Sequence, residues 1–231
     1  MAACDEQPSA VDTAASAMIE RLRAEAVLTS ASVEQAFRSV PRHLFVDGVS
    51  IAAAYAETAV VVKVDRSGTA LSSISQPAIV AAMLELLQLE RGHRVMEVGT
   101  GTGYNAALLS YLVGTSGLVV TIELEDDLVA AARLRLQRNG FHAVQIVAGD
   151  GAEGHATAAP YDRVIVTTGA TEVAPAWVAQ LDDGGRLVTP VVDSSGIGMI
   201  HCYVKRGSAV ERIATQPCGF LPMRTRPKDP G

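Results

Sequence analysis

Val95-Met96-Glu97-Val98 reads as a short buried strand that runs without a linker into Gly99-Thr100-Gly101-Thr102-Gly103-Tyr104, and a helical pattern opens at Asn105. A glycine turn joining strand to helix admits few folds, because it brings backbone against a ligand at the carboxyl edge of an open α/β sheet. The flanking sequence follows the same logic. Helices over 77–87, 105–113, 126–139 and 175–180 alternate with short apolar strands over 94–98, 118–123, 144–148, 163–168 and 185–191. Alternation of this kind predicts an α/β fold with a doubly wound, mostly parallel sheet and helices on both faces. Segments 199–205 and 210–215, with Gly207-Ser208 between them, predict an antiparallel hairpin near the end of the chain.

Upstream of the alternation, Met18, Ile19 and Leu22 recur at helical spacing over 15–23. Val33, Ala36 and Phe37 share one face of a second helix over 32–40. Together they predict an N-terminal helical cap. Pro41 ends the second helix, Leu44-Phe45-Val46 supplies an apolar plug, 55–64 reads as extended, and 67–75 reads as a Gly/Ser/Thr-rich loop. Residues 1–14 hold few large apolar side chains and are expected to be a disordered lead-in. The remainder, 15–231, is expected to be one domain: cap and substrate loop to 76, ligand-binding core over 77–192, hairpin and closing segment over 193–231. A chain of 231 residues, 48% hydrophobic, is long enough to bury such a core.

Composition narrows the function classes. Nineteen Lys and Arg against 25 Asp and Glu leave a net charge of −6 with no basic cluster, which argues against a nucleic-acid partner. The first residues lack the basic start and apolar run of a secretory signal, so a cytoplasmic location is expected. The longest apolar stretch, 78–89, is interrupted by Glu85 and too short to cross a bilayer. Cys4, Cys202 and Cys218 are far apart and the five histidines lack ligand spacing, so neither a disulfide nor a metal is expected.

Acidic residues at three strand ends sharpen the glycine signal. Glu97 puts a carboxylate beside the turn, which suits a cationic ligand and repels a diphosphate. Glu123 ends the next strand, where an acid accepts hydrogen bonds from ribose hydroxyls, a role dinucleotide-dependent enzymes also use. Asp150, in Gly149-Asp150-Gly151, is placed to meet an adenine amine, although the same residue alone reads as a turn former.

With these residues in view, the chain resembles the protein L-isoaspartate (D-aspartate) O-methyltransferases from about Met18 to Met223. The matching pieces are Val40-Pro41-Arg42-His43-Leu44-Phe45-Val46, Ala54-Tyr55, Ser73-Ile74-Ser75-Gln76-Pro77, the glycine turn from Glu97 to Tyr104, Gly149-Asp150-Gly151, 159–162 and 180–190. The resemblance implies a Rossmann-like class I methyltransferase using S-adenosylmethionine, releasing S-adenosylhomocysteine and needing no metal. It implies cofactor contacts from Ser73, Ile74, Glu97, Gly99, Thr100, Gly101, Gly103, Glu123, Leu124, Asp150 and Gly151. Substrate contacts would come from Ser72, Ser73, Tyr55, Leu221 and Pro222, and the segment 220–224 would return over the site. The implied partner is a peptide or protein bearing isoaspartate or aspartate.

Ser73 stands where the family usually has Thr, and the approach through Asp65-Arg66-Ser67-Gly68 is longer. Together with Ser72, 103–109 and 174–177, this resembles an actinobacterial branch that esterifies a chosen aspartate in ribosomally made peptides. Repair of isoaspartyl residues and peptide tailoring therefore both stand as readings, beside a non-catalytic module that senses the cofactor. Transfer to a carboxylate needs no general base, since the nucleophile, with a pKa near ~4, is ionised at neutral pH. Alignment is then the enzyme's task, and the resemblance makes Ser75 the orienting, catalytic hydroxyl; its competing role is the N-cap of the helix that Pro77 opens. Arg42 is expected in a structural ion pair, and Trp177 in packing.

Overall fold

A capping box opens the described part of the chain. In the computed structural model, which describes residues 9–226, Ser9 Oγ accepts from the Asp12 backbone N–H while the Asp12 carboxylate accepts from Ser9 N–H. Two donors that a helix start leaves unpaired are thereby satisfied, and α1 runs Ala10–Ala24. The expectation of a disordered lead-in over 1–14 is corrected for 9–14; residues 1–8 lie outside the described residues. α1 buries Met18, Ile19 and Leu22, and α2 (Ala31–Ser39) buries Val33, Ala36 and Phe37. These are the faces the periodicity picked out. α1 packs on α4 (Pro77–Leu87), and α2 packs on both α4 and α5 (Tyr104–Val113).

Between cap and core the structure departs from expectation. The 55–64 segment is not extended throughout: α3 (Ile51–Ala54) ends at Tyr55, and only β1 (Val60–Val64) is strand. The expected loop contains β2 (Ala70–Ile74), paired antiparallel with β1 across register shifts. Its Ala-Leu-Ser-Ser-Ile sequence has weak intrinsic β-propensity, and cross-strand pairing overrides that local preference.

The main sheet has the order β5-β4-β3-β6-β7-β8-β9. Parallel strands are β3 (Arg94–Val98), β4 (Leu118–Glu123), β5 (Gln145–Ala148), β6 (Tyr161–Val166) and β7 (Leu181–Val192). β8 (Ile197–Arg206) pairs antiparallel with β7, and β9 (Ala209–Gly219) with β8, so the expected hairpin extends the sheet as its last two strands. α6 (Asp126–Arg138) and α7 (Pro175–Gln180) complete the crossovers.

Alternation along the strands separates two cores. Val95, Val119, Ile165, Val188 and Ile200 join the cap helices, α4 and α5, whereas Met96, Val98, Val120, Ile122, Val164 and Leu187 pack with Trp177 and Tyr161 on the other face. Trp177 is 1% exposed, and its indole Nε1 donates to the Gly151 carbonyl at 2.7 Å, tying α7 to the turn after β5. Packing and one obligatory hydrogen bond thus coincide in one side chain. Trp177→Ala should cost about 3–5 kcal/mol in urea unfolding; a loss below about 1 kcal/mol would show that the surroundings collapse freely into the space.

Candidate active site

The strand order reverses at β3, which pairs with β4 on one side and β6 on the other. Open α/β sheets bind ligands beyond the carboxyl ends of the strands at such a switch point. A cavity of about 720 Å³ lies there, within the range of small-molecule binding sites. Its floor is the glycine turn, with Ile122, Glu123 and Leu124 from the end of β4. One wall is the β2 edge and its continuation, from Leu71 to Gln76; the facing wall is the segment from Pro217 to Arg224.

Gly99, Gly101 and Gly103 have φ of +96°, +53° and +88°, a region that side chains rarely tolerate. They are not equivalent. A Cβ on Gly99 would meet Thr167 Oγ1 at 2.9 Å, while one on Gly101 would press against Ser72 Oγ at 3.4 Å. Gly103 is the N-cap of α5 and is absent from the cavity wall; a Cβ there would press on Leu136 of α6 at 3.2 Å, so this glycine serves helix packing.

The three acidic residues also separate. Glu123 lies on the cavity wall, and its carboxylate accepts from Gly101 N–H at 2.9 Å, Leu124 N–H at 2.9 Å and Glu125 N–H at 3.2 Å. Glu97 is fully buried behind the turn and does not line the cavity. Its Oε1 accepts from Asn105 Nδ2 at 2.8 Å and its Oε2 from Thr121 Oγ1 at 2.6 Å; Thr121 Oγ1 in turn lies 2.7 Å from Thr100 Oγ1. Burial pushes the Glu97 carboxyl up to about 7, against the lowering pull of the hydrogen bonds from Thr121 and Asn105. Asp150 accepts from Ala152 N–H and Arg226 N–H, capping its own turn, while its neighbour Gly151 is the one on the wall.

On the two walls Ser72, Ser73, Ile74 and Ser75 all line the cavity, as do Leu221 and Pro222. The N-cap of α4 is Gln76, with no side-chain cap hydrogen bond, so Ser75 is not the helix cap. Gly169 N–H donates to Leu221 O and Met223 N–H to Gly169 O, which seats the returning segment on the end of β6. Tyr55 is not on the wall; it is buried in the cap, its hydroxyl 2.9 Å from His43 Nδ1. Arg42 makes no ion pair among the described residues and instead donates to backbone carbonyls, correcting the expectation of a salt bridge.

Sequence reasoning missed a fastening above the cavity. Glu125, the residue preceding α6, accepts from Lys63 of β1 at 2.8 Å and from Arg224 of the returning segment, while Lys63 also reaches Asp127 at 2.6 Å. The hydrogen bond from Lys63 holds the Glu125 carboxyl below its ordinary range. Nothing in the chain marks pairs so far apart in sequence, and only the positions of the two walls bring them together.

The arrangement has counterparts among known proteins. The family model described as Protein-L-isoaspartate(D-aspartate) O-methyltransferase matches residues 13–228. The chain is 38% identical over 208 residues to the Protein-L-isoaspartate O-methyltransferase of Ignicoccus hospitalis, covering 89% of this chain and 95% of that one. It is 42% identical over 177 residues to Protein-L-isoaspartate O-methyltransferase 2 of Archaeoglobus fulgidus, covering 77% and 78%. A solved protein-L-isoaspartate O-methyltransferase superposes with a TM-score of 0.83 at 31% identity, over 91% of this chain and 66% of that chain. A Plasmodium falciparum structure in complex with S-adenosyl-L-homocysteine shares the fold, with a TM-score of 0.76 at 18% identity over 91% and 98%.

Glu97 yields a prediction about stability. The ordinary value of its carboxyl is 4.5, and the folded value is about 7. Between those values the folded state holds a proton that the unfolded chain has released, so the stabilisation is complete below about 4.5 and is lost as pH rises through about 7. Glu97→Gln keeps the shape and removes the titration. Its stability relative to the parent should therefore improve by up to roughly 3 kcal/mol between pH 5 and pH 8. Melting both proteins across that range tests this; a pH-independent difference would show that Glu97 does not titrate there.

Proposed function

The chain belongs to the protein-L-isoaspartate (D-aspartate) O-methyltransferase family, and from that premise we propose that it methylates isoaspartyl residues of proteins or peptides at the cavity beyond β3 and β4. It is an S-adenosylmethionine-dependent carboxyl O-methyltransferase. The observation that carries the site assignment is the convergence on one cavity of the glycine turn, Glu123 and the Ser72–Ser75 wall.

The residues fit the methyl donor. Gly99 lets the turn pack against Thr167 where a Cβ would clash, Gly101 keeps the floor clear of a Cβ beside Ser72, Glu123 presents a carboxylate at the strand end, and Val98, Ile122, Leu124 and Leu128 make an apolar surface for a flat ring. In this reading Glu123 holds the ribose, Gly99, Thr100 and Gly101 hold the amino-acid portion, Leu124 and Gly151 flank the adenine, and Ser73 and Ile74 close the pocket. Glu97 and Gly103 support the turn from behind. When bound, S-adenosylmethionine supplies a methyl group on a sulfonium, whose departure leaves a neutral thioether.

The chain's own task is to bring a carboxylate into line and to exclude water, effects that reach about 7–11 kcal/mol in well-oriented systems. Ser75, free of the helix cap and on the cavity wall, donates a hydrogen bond from its hydroxyl to one carboxylate oxygen and leaves the other to attack. Ser72 and the backbone of Leu221 and Pro222 grip the acceptor's main chain from the two walls. The methyl ester so formed is activated: the next backbone nitrogen attacks its carbonyl, methanol leaves, and a succinimide forms that water opens to aspartate or isoaspartate. That sequence is the chemistry of repair.

Two measurements test the assignments. Charged-group hydrogen bonds are worth roughly 1.5–3 kcal/mol each, so Glu123→Ala should weaken cofactor binding at least tenfold in calorimetry. Unchanged affinity would remove Glu123 from the site.

Ser75→Ala should lower kcat/KM for an isoaspartyl peptide by an amount equal to roughly 1.5–3 kcal/mol and leave cofactor Kd nearly unchanged. The rate should stay flat through neutrality and fall only as the acceptor protonates near ~4. Because Glu97 itself titrates at about 7, the profile is also measured in Glu97→Gln. A rise through pH 6–8 that persists in that variant would mean a base is needed and would end the alignment mechanism.

A further inference from the structure

Arg42 is 0% exposed, yet it makes no ion pair with a carboxylate among the described residues. Burying a guanidinium without a counter-ion is costly unless its donors are used. Here two of the three nitrogens are used on backbone from two distant places. Nε donates to Ala54 O at 2.7 Å, and Nη2 donates to Ser75 O at 2.7 Å and more weakly to Ile74 O at 3.5 Å. The guanidinium carbon also lies 5.3 Å from the centre of the Tyr104 ring, at the first residue of α5 and directly after the glycine turn. Arg42 Nη1 and Tyr104 Oη are both buried and without a hydrogen-bond partner among the described residues.

Ser75 sits between the end of β2 and a helix start that has no side-chain cap, so helix capping does not set its position. The hydrogen bond that grips its own carbonyl comes from Arg42, and the same guanidinium rests on the residue that follows the glycine turn. We propose that Arg42 is a positioning residue for methyl transfer: by clamping the Ser75 carbonyl while resting on Tyr104, it sets the Ser75 hydroxyl relative to the glycine turn. The proposal rests on the assignment of Ser75 as the group that orients the acceptor. A cation held in this way acts by geometry, and displacements on the scale of 1 Å in a reacting pair cost on the order of a hundredfold in rate.

The test is a double-mutant cycle on the full chain with S-adenosylmethionine and an isoaspartyl peptide. The variants are Arg42→Lys, Arg42→Met, Ser75→Ala and the two double substitutions. Either Arg42 substitution should lower kcat at least roughly tenfold while cofactor Kd moves by less than about twofold. In the Ser75→Ala background the same substitution should cost no more than about a further twofold, because it acts through the residue already removed. Arg42→Lys keeps a cation in the core and carries the cycle if Arg42→Met does not fold. Fully additive losses, or an Arg42→Lys enzyme with parental kcat, overturn the proposal. If Ser75→Ala itself turns over at the parental rate, the Ser75 assignment has failed and the Arg42 proposal falls with it. If Ser75→Ala is impaired but the cycle is additive, only the Arg42 proposal falls.

Discussion

The site depends on a carboxyl that it does not expose. Glu97 is buried behind the glycine turn with both oxygens hydrogen-bonded, one to Asn105 on α5 and the other to Thr121 on β4, which reaches on to Thr100 in the turn itself. Three successive elements, β3, α5 and β4, are thus pinned to one group. A turn with three left-handed glycines has little intrinsic rigidity, and this network supplies it from below. A carboxyl held at about 7 is also only partly charged near neutrality. It makes a better strut than a fixed anion, so the charge that faces the cavity is that of Glu123.

The cavity roof is held differently. Its two walls come from β2 and from the segment after β9, and neither belongs to the alternating core. They are tied through Glu125, which takes Lys63 from β1, the strand paired with β2, and Arg224 from the returning segment. Partly exposed ion pairs contribute about 0–1 kcal/mol and weaken with salt. The floor therefore rests on buried, cooperative hydrogen bonds, and the tie between the two walls on ion pairs that open at small cost. A site that must admit a protein segment and release it after each turnover is served by that difference.

What was legible in the chain follows the same division. The apolar alternation from 77 to 191 predicted the parallel strands and their crossovers, because a buried parallel sheet imposes its period on the sequence. Val33, Ala36 and Phe37 announced the packed face of α2 in the same way. β2 did not announce itself: Ala-Leu-Ser-Ser-Ile carries no alternation that outweighs its serines, and its strand character comes from β1. The capping box at Ser9 was overlooked because the surrounding Ala-rich residues suggested disorder, although Ser-x-x-Asp is itself a start signal. Glu97 was legible as important and illegible as to side: period 2 along β3 puts it on the face of Val95, toward α5 and off the cavity wall.

Arg42 shows why pattern alone stops short of a mechanism. In the chain it follows a proline in a mostly helical cap, where an arginine ordinarily faces solvent or a carboxylate. Its meaning appears only when α3 and the end of β2 bring Ala54 O and Ser75 O together on one guanidinium. Carbonyl acceptors leave no trace in a sequence, since every residue has one. The two walls of the cavity are fixed largely by such contacts: carbonyls gripped by Arg42, and the backbone of Gly169 gripping Leu221 and Met223. A catalyst that aligns an already ionised nucleophile needs distances held more than it needs titrating side chains. Backbone geometry fixed from behind by buried groups meets that need with few residues at the reacting atoms.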